Sequence, residues 1–118
     1  MNSEELKDRV KKFAHRCVKL VLALPDTPLG RQIKVQLIKC LSSAAANYRA
    51  VCIAQSKPSF ISKMSIVAEE TDESCFWLQF ILDEKLLAVK QVKSLLEEGE
   101  ELTSIFLSSR ITARKRSP

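Results

Sequence analysis

One histidine, His15, and four cysteines, Cys17, Cys40, Cys52 and Cys75, are the residues in this 118-residue chain best suited to nucleophilic or metal chemistry. A di-iron site in a helical protein requires Glu-x-x-His pairs facing inward. Glu70 and Glu73 offer only a Glu-x-x-Glu spacing, and His15 falls off the apolar stripe of its own segment. A Cys–His pair needs that same histidine, and no Gly-rich turn offers donors for an oxyanion. No cysteine belongs to a CxxC pair, and each lies within a helical apolar pattern, so all four are expected in the core as small apolar thiols. The acidic clusters Glu69-Glu70, Asp72-Glu73, Glu97-Glu98 and Glu100-Glu101 are expected as solvated helix faces. With only two glycines there is no phosphate loop either. The chain is expected to be no enzyme, with no catalytic, cofactor-binding or metal residue and no obvious pocket.

The unusual segment is Ser42-Ser43-Ala44-Ala45-Ala46-Asn47-Tyr48-Arg49. Five small residues in succession strip a helical turn of bulk and let another backbone approach closely. Ser43, Ala44, Ala45, Ala46 and Asn47 are therefore candidate interface residues. Asn47 is placed to bond a neighbouring helix, and Arg49 to pair with an acid of the third helix or meet a phosphate.

Four helices must position these residues. Leu6, Val10, Phe13, Cys17, Leu20 and Leu24 recur at alternating spacings of four and three, which keeps them on one helical face. Asn2 or Ser3 caps this segment, with Glu5 three residues after Asn2 as in a capping box. Pro25 and Pro28 end it, and Thr27-Pro28 reads as cap and first position of a second helix. That helix carries Leu37, Leu41, Ala44, Tyr48 and Val51 and is expected to run to about Ser56. A third carries Phe60, Met64, Val67, Thr71, Ser74, Leu78 and Ile81, so its core stripe turns polar and two hydroxyls need partners. A fourth carries Val89, Val92, Leu96, Gly99, Leu102, Phe106 and Ser109. Short links force sequential neighbours to be antiparallel, which predicts an all-α, up-down-up-down four-helix bundle over residues 1–112. The basic end, 113–118, is expected to be a disordered tail.

The 46% hydrophobic content excludes wholesale disorder, and the length suits one domain. Charge is unevenly spread. Residues 27–68 hold six Lys/Arg and no acid, whereas 69–101 hold ten acids against three lysines. Such polarity favours an anionic partner for the basic part or self-association through complementary faces. The longest uncharged runs have nine residues, far short of the roughly 20 a membrane span needs. The polar N-terminus and the unpaired thiols suit a cytoplasmic protein with no membrane partner.

At Gln36-Leu37-Ile38-Lys39, Ser43–Arg49 and Ser56-Lys57 the sequence resembles the second-helix signature of the four helix bundle protein family, also called the 23S rRNA-intervening-sequence proteins. Phe60–Met64, Glu70–Ser74 and Trp77-Leu78 resemble its third-helix pattern, and Leu24-Pro25 fits the end of its first helix. Ala45 stands where the family has Gly, and Ala50 where it has an acid. The resemblance implies an antiparallel bundle assembling into a homo-oligomer, commonly a pentamer, with no established enzymatic activity. The accessory proteins of diversity-generating retroelements look related, and there the ring contacts nucleic acid and a reverse transcriptase.

Two functions remain in view. The first is a structural or protein-interaction module whose partner is itself. The alternative is an accessory protein that contacts RNA or DNA, or a nucleic-acid-bound protein, through Arg31, Lys34, Lys39, Arg49, Arg114, Lys115 and Arg116.

Overall fold

The structure is a computed structural model that describes residues 1–116. Among these residues the chain forms four helices and no strand: α1 (Ser3–Val21), α2 (Pro28–Cys52), α3 (Lys57–Asp83) and α4 (Val89–Lys115). Three begin on a side chain that satisfies an orphan amide of the first turn. Asn2 Oδ1 accepts from Glu5 N–H at 2.8 Å, Thr27 Oγ1 from Gly30 N–H at 3.1 Å, and Ser56 Oγ from Ser59 N–H at 3.2 Å. Ser56 therefore starts α3 and cannot end α2, which stops at Cys52, four residues before its expected limit.

The fourth start is incomplete. Ala88 occupies the cap with extended backbone but has no side-chain oxygen, while Gln91 Oε1 accepts the Ala88 N–H at 3.0 Å. Ala88→Ser should complete the capping box and raise unfolding free energy by about 0.5–2 kcal/mol. A denaturant midpoint that does not rise would contradict it. The turn before Ala88 closes through Lys85, whose φ of 55° lies in the left-handed region. Its N–H bonds Leu82 O at 3.1 Å and the next, Leu86 N–H, bonds Ile81 O at 3.0 Å, which satisfies the last carbonyls of α3.

The helices pack in chain order as α1–α2, α2–α3 and α3–α4, and α1 closes loosely on α4, so α1 and α3 are diagonal, as are α2 and α4. This is the expected four-helix bundle, 50 × 21 × 21 Å in extent. Its core joins Phe13 and Cys17 of α1, Leu37 and Leu41 of α2, Leu78 of α3 and Leu102 and Phe106 of α4. The Tyr48 and Phe106 rings meet with centroids 5.3 Å apart. The two polar stripe positions are satisfied by their own helix: Thr71 Oγ1 donates to Val67 O at 2.7 Å and Ser74 Oγ to Glu70 O at 2.9 Å. They therefore open no space for a further helix.

At the C-terminal end α4 continues to Lys115, so residues 113–115, expected in the tail, are helical. Ser117 and Pro118 lie outside the described residues.

Candidate interaction surfaces

The small-residue segment is split by the helical repeat. Ala44 is buried, Ser43, Ala45 and Asn47 are half-buried, and Ala46 is exposed. Ser43 and Asn47 continue the row that starts at Cys40, whose Sγ lies 3.2 Å from Ser74 Oγ of α3, so they line the α2–α3 seam. Asn47 does not reach a neighbouring helix. Its Nδ2 donates to Ser43 O at 2.9 Å and Ser43 Oγ at 3.2 Å, because a short amide four residues on finds that carbonyl first. Arg49 is exposed and, among the described residues, pairs with no acid of α3.

The candidate phosphate-contacting cations do not form one stripe. Arg31 and Lys34 lie near the start of α2, with Arg31 held by Asp26 at 2.7 Å. Arg49 lies roughly 27 Å further along the same helix, at 1.5 Å per residue. There it shares an end of the bundle with Arg114, Lys115 and Arg116, and the Arg116 carbonyl accepts from Lys57 Nζ. Lys39 points another way. It lies near Glu70, whose carboxyl burial raises above its usual range, with Glu73 adding to the rise and Lys39 opposing it.

A cluster that the apolar stripe did not single out lies on α3. Phe76 is 56% exposed and meets Trp77 edge to face at 5.0 Å, and Phe80 lies 5.9 and 5.8 Å from the two. Trp77 Nε1 donates to Glu73 Oε2 at 3.3 Å. From Met64 to Asp83, α3 carries five acids and no Lys or Arg. The aromatic cluster thus sits on an acidic helix. The opposite edge is basic and partly apolar. Arg9 and Arg16 mark the α4-facing edge of α1, through Glu98 and Ser94, so Val18 lies on the other side of its buried stripe. Leu22 is 71% exposed, and Val35 and Ile38 of α2 are 60% and 41% exposed beside Arg31 and Lys34.

Part of the acidic block is neutralised within the chain. Arg9 forms a bidentate pair with Glu98, at 2.9 Å through Nε and 2.6 Å through a terminal nitrogen, and reaches Glu101 at 3.1 Å. These bonds tie the loose α1–α4 seam and hold the Arg9 guanidinium firmly protonated.

The expectation of no pocket fails at one end. A groove of about 970 Å³ opens between the α2–α3 turn and the last turns of α4, lined by Ala54, Phe60, Ile105, Ser108, Thr112 and Arg116 among others. It exists because α1 has 19 residues and α4 has 27, so α1 runs out before it covers α4.

Cys17, Cys40 and Cys75 are buried as expected, but Cys52 is exposed, since it is the last residue of α2 and the core has ended there. Burial pushes the Cys17 thiol up to about 12 and the Cys40 and Cys75 thiols up to about 11, so at neutral pH they stay protonated and slow to react. A thiol reagent should therefore label one cysteine quickly and three more only after denaturation. Cys52→Ser should abolish the fast phase, and fast labelling of that variant would contradict the placement. Among the described residues no group of three His, Cys, Asp or Glu is placed to hold a metal, and no helix is long and apolar enough to cross a membrane. His15 is exposed.

No protein-family model matches the sequence, and no curated protein matches it. Among solved structures the chain is similar, at 26% identity and a TM-score of 0.81, to a protein of unknown function from the S23 ribosomal protein family of Bacteroides thetaiotaomicron, a likeness that covers 93% of this chain and 98% of that one.

Proposed function

We propose that this chain is a member of the 23S rRNA-intervening-sequence family and acts as a non-enzymatic, self-associating interaction module. The observation that carries this reading is the aromatic cluster on α3, in which Phe76 is exposed over half-buried Trp77 and Phe80 with Asp72, Glu73 and Asp83 exposed on the same helix. Large rings are the side chains that most often anchor protein interfaces, and leaving Phe76 56% exposed forgoes about half of the roughly 1.5–3 kcal/mol that full burial is worth. The likeness to the S23 family protein supports family membership, and the resemblance of the second and third helices implies a homo-oligomer, commonly a pentamer. The cysteine usage supports a cytoplasmic location.

The second reading, contact with RNA or DNA, is favoured by α2, which carries four Lys/Arg and no acid, and by the three consecutive cations at the end of α4. Their division between two ends of the bundle, with Arg31 and Lys39 beside acids, argues for the first reading. A labelled RNA hairpin titrated with the protein at several salt concentrations separates them. The module reading expects no saturable binding near physiological salt. Saturable binding that weakens with salt at a slope of several phosphates would favour the second reading, since each neutralised phosphate contributes about −0.9 to that slope on duplex nucleic acid.

A further inference from the structure

We infer that the groove at the end of the bundle receives an acidic, amphipathic helix of another protein, laid along the last turns of α4. The inference goes beyond the self-association proposed above and does not depend on it. The fourth corner of the bundle is empty at this level. Arg9 of α1 meets Glu98 and Glu101 of α4, which fixes the two antiparallel helices against each other. From Arg9, α1 reaches back only to Ser3, about 9 Å at a rise of 1.5 Å per residue, where Asn2 caps it. From Glu101, α4 goes on to Lys115, about 21 Å. About two turns of α4 thus have no helix opposite them among the described residues.

The α1-facing row of α4 continues through this stretch. Ile105, Ser108, Ser109, Thr112, Ala113 and Arg116 stand at i, i+3, i+4, i+7, i+8 and i+11, the stripe along which one helix packs on another, and all six line the groove. Phe60 and Ala54, by the α2–α3 turn, form the facing wall. Phe60, Ile105 and Ala113 are half-buried, so the floor is apolar and within reach.

Charge selects the occupant. Lys57 and Arg116 line the outer end of the groove, and Arg114 and Lys115 precede Arg116 in the chain. The acid in the lining, Glu101, lies at the inner end and is bonded to Arg9 at 3.1 Å. An entering helix gains from an apolar stripe against the floor and carboxylates at the outer end. Its own C-terminus, negative through the helix dipole, is favoured at that end too. A nucleic-acid strand fits less well, because its phosphates would follow the whole groove while the cations gather at one end of an apolar floor. The acid-rich block of this chain, 69–101, is folded into α3 and α4, so the acidic helix belongs to a different protein.

Fluorescence anisotropy with a labelled, stapled synthetic peptide tests this. The peptide has about three helical turns, with Leu and Ala on one face and Glu on the other, and a second peptide carries Lys in place of Glu. Ser108→Trp fills the groove and Thr112→Glu puts a like charge in it. Both positions are exposed, and circular dichroism checks that each variant stays helical. The Glu peptide should bind the unmodified chain saturably. The Lys peptide, and the Glu peptide on either variant, should bind at least about tenfold more weakly. No saturable binding, equal binding of the Lys peptide, or undiminished binding by both variants would each overturn the inference. A single-stranded RNA that displaces the Glu peptide at lower concentration would overturn it in favour of nucleic acid. A solution mass that falls as the peptide binds would mean that a second copy already fills the groove, and would overturn the foreign partner.

Discussion

Gly30→Ala should destabilise the protein by about 3 kcal/mol or more, at the upper end of what single substitutions do. Gly30 is the third residue of α2, buried where the chain turns out of α1, and a Cβ built there collides with the carbonyl of Pro25. That carbonyl belongs to backbone between two prolines, Pro25 and Pro28, which restrict how the turn can move aside. The helix-propensity gain from Gly to Ala, about 1 kcal/mol, is too small to offset such a collision. Chemical denaturation of the variant measures the difference. A midpoint equal to that of the unmodified chain would mean that the turn is loose enough to yield.

Gly99→Val should be comparably severe, about 3 kcal/mol or more, while Gly99→Ala should cost less, about 1–2 kcal/mol. Gly99 sits where three helices meet. A Cβ there would lie 2.7 Å from Cys75 Sγ of α3 and 2.9 Å from Phe13 Cζ of α1. Both neighbours are side chains, so a single methyl can be partly accommodated by small rotations, with the gain in helix propensity offsetting part of the strain. Two further methyls on a β-branched side chain have no such room, because Phe13 is itself buried in the core. Thermal melts of the pair should rank unmodified, Ala, Val. A valine variant as stable as the parent would contradict the close three-helix approach.

These two glycines show where the sequence could be read and where it could not. Leu6, Val10, Phe13, Cys17 and Leu20 are buried as their spacing requires, and Asn2 and Thr27 cap the helices they were expected to cap. Such features depend on residues close in sequence, so periodicity and cap chemistry suffice. Gly99 was legible as a stripe position, but its contact with Cys75 depends on the distance between α3 and α4, which no local pattern encodes. Asn47 was misread for the opposite reason. Its partner was local, the Ser43 carbonyl one turn back, where an inter-helix bond had been expected. Cys52 fits the helical period of α2 yet lies at its end, beyond the core. The Phe76–Trp77–Phe80 cluster had a signal in the sequence: three large rings within five residues, with Phe76 outside the stripe of Ser74, Leu78 and Ile81. An aromatic off the stripe on an acidic helix marks a surface, and the surface is where the function proposed for this chain resides.

The function proposed here requires this bundle to work as an assembly of copies of itself. The solution mass of the unmodified protein, measured by light scattering at micromolar concentration in moderate salt and without nucleic acid, tests it most directly. A single species at a whole multiple of 13.3 kDa is expected, five-fold if the family resemblance extends to the ring. A mass of 13.3 kDa that holds as concentration rises would contradict it, and would leave the exposed ring of Phe76 on α3 without a partner.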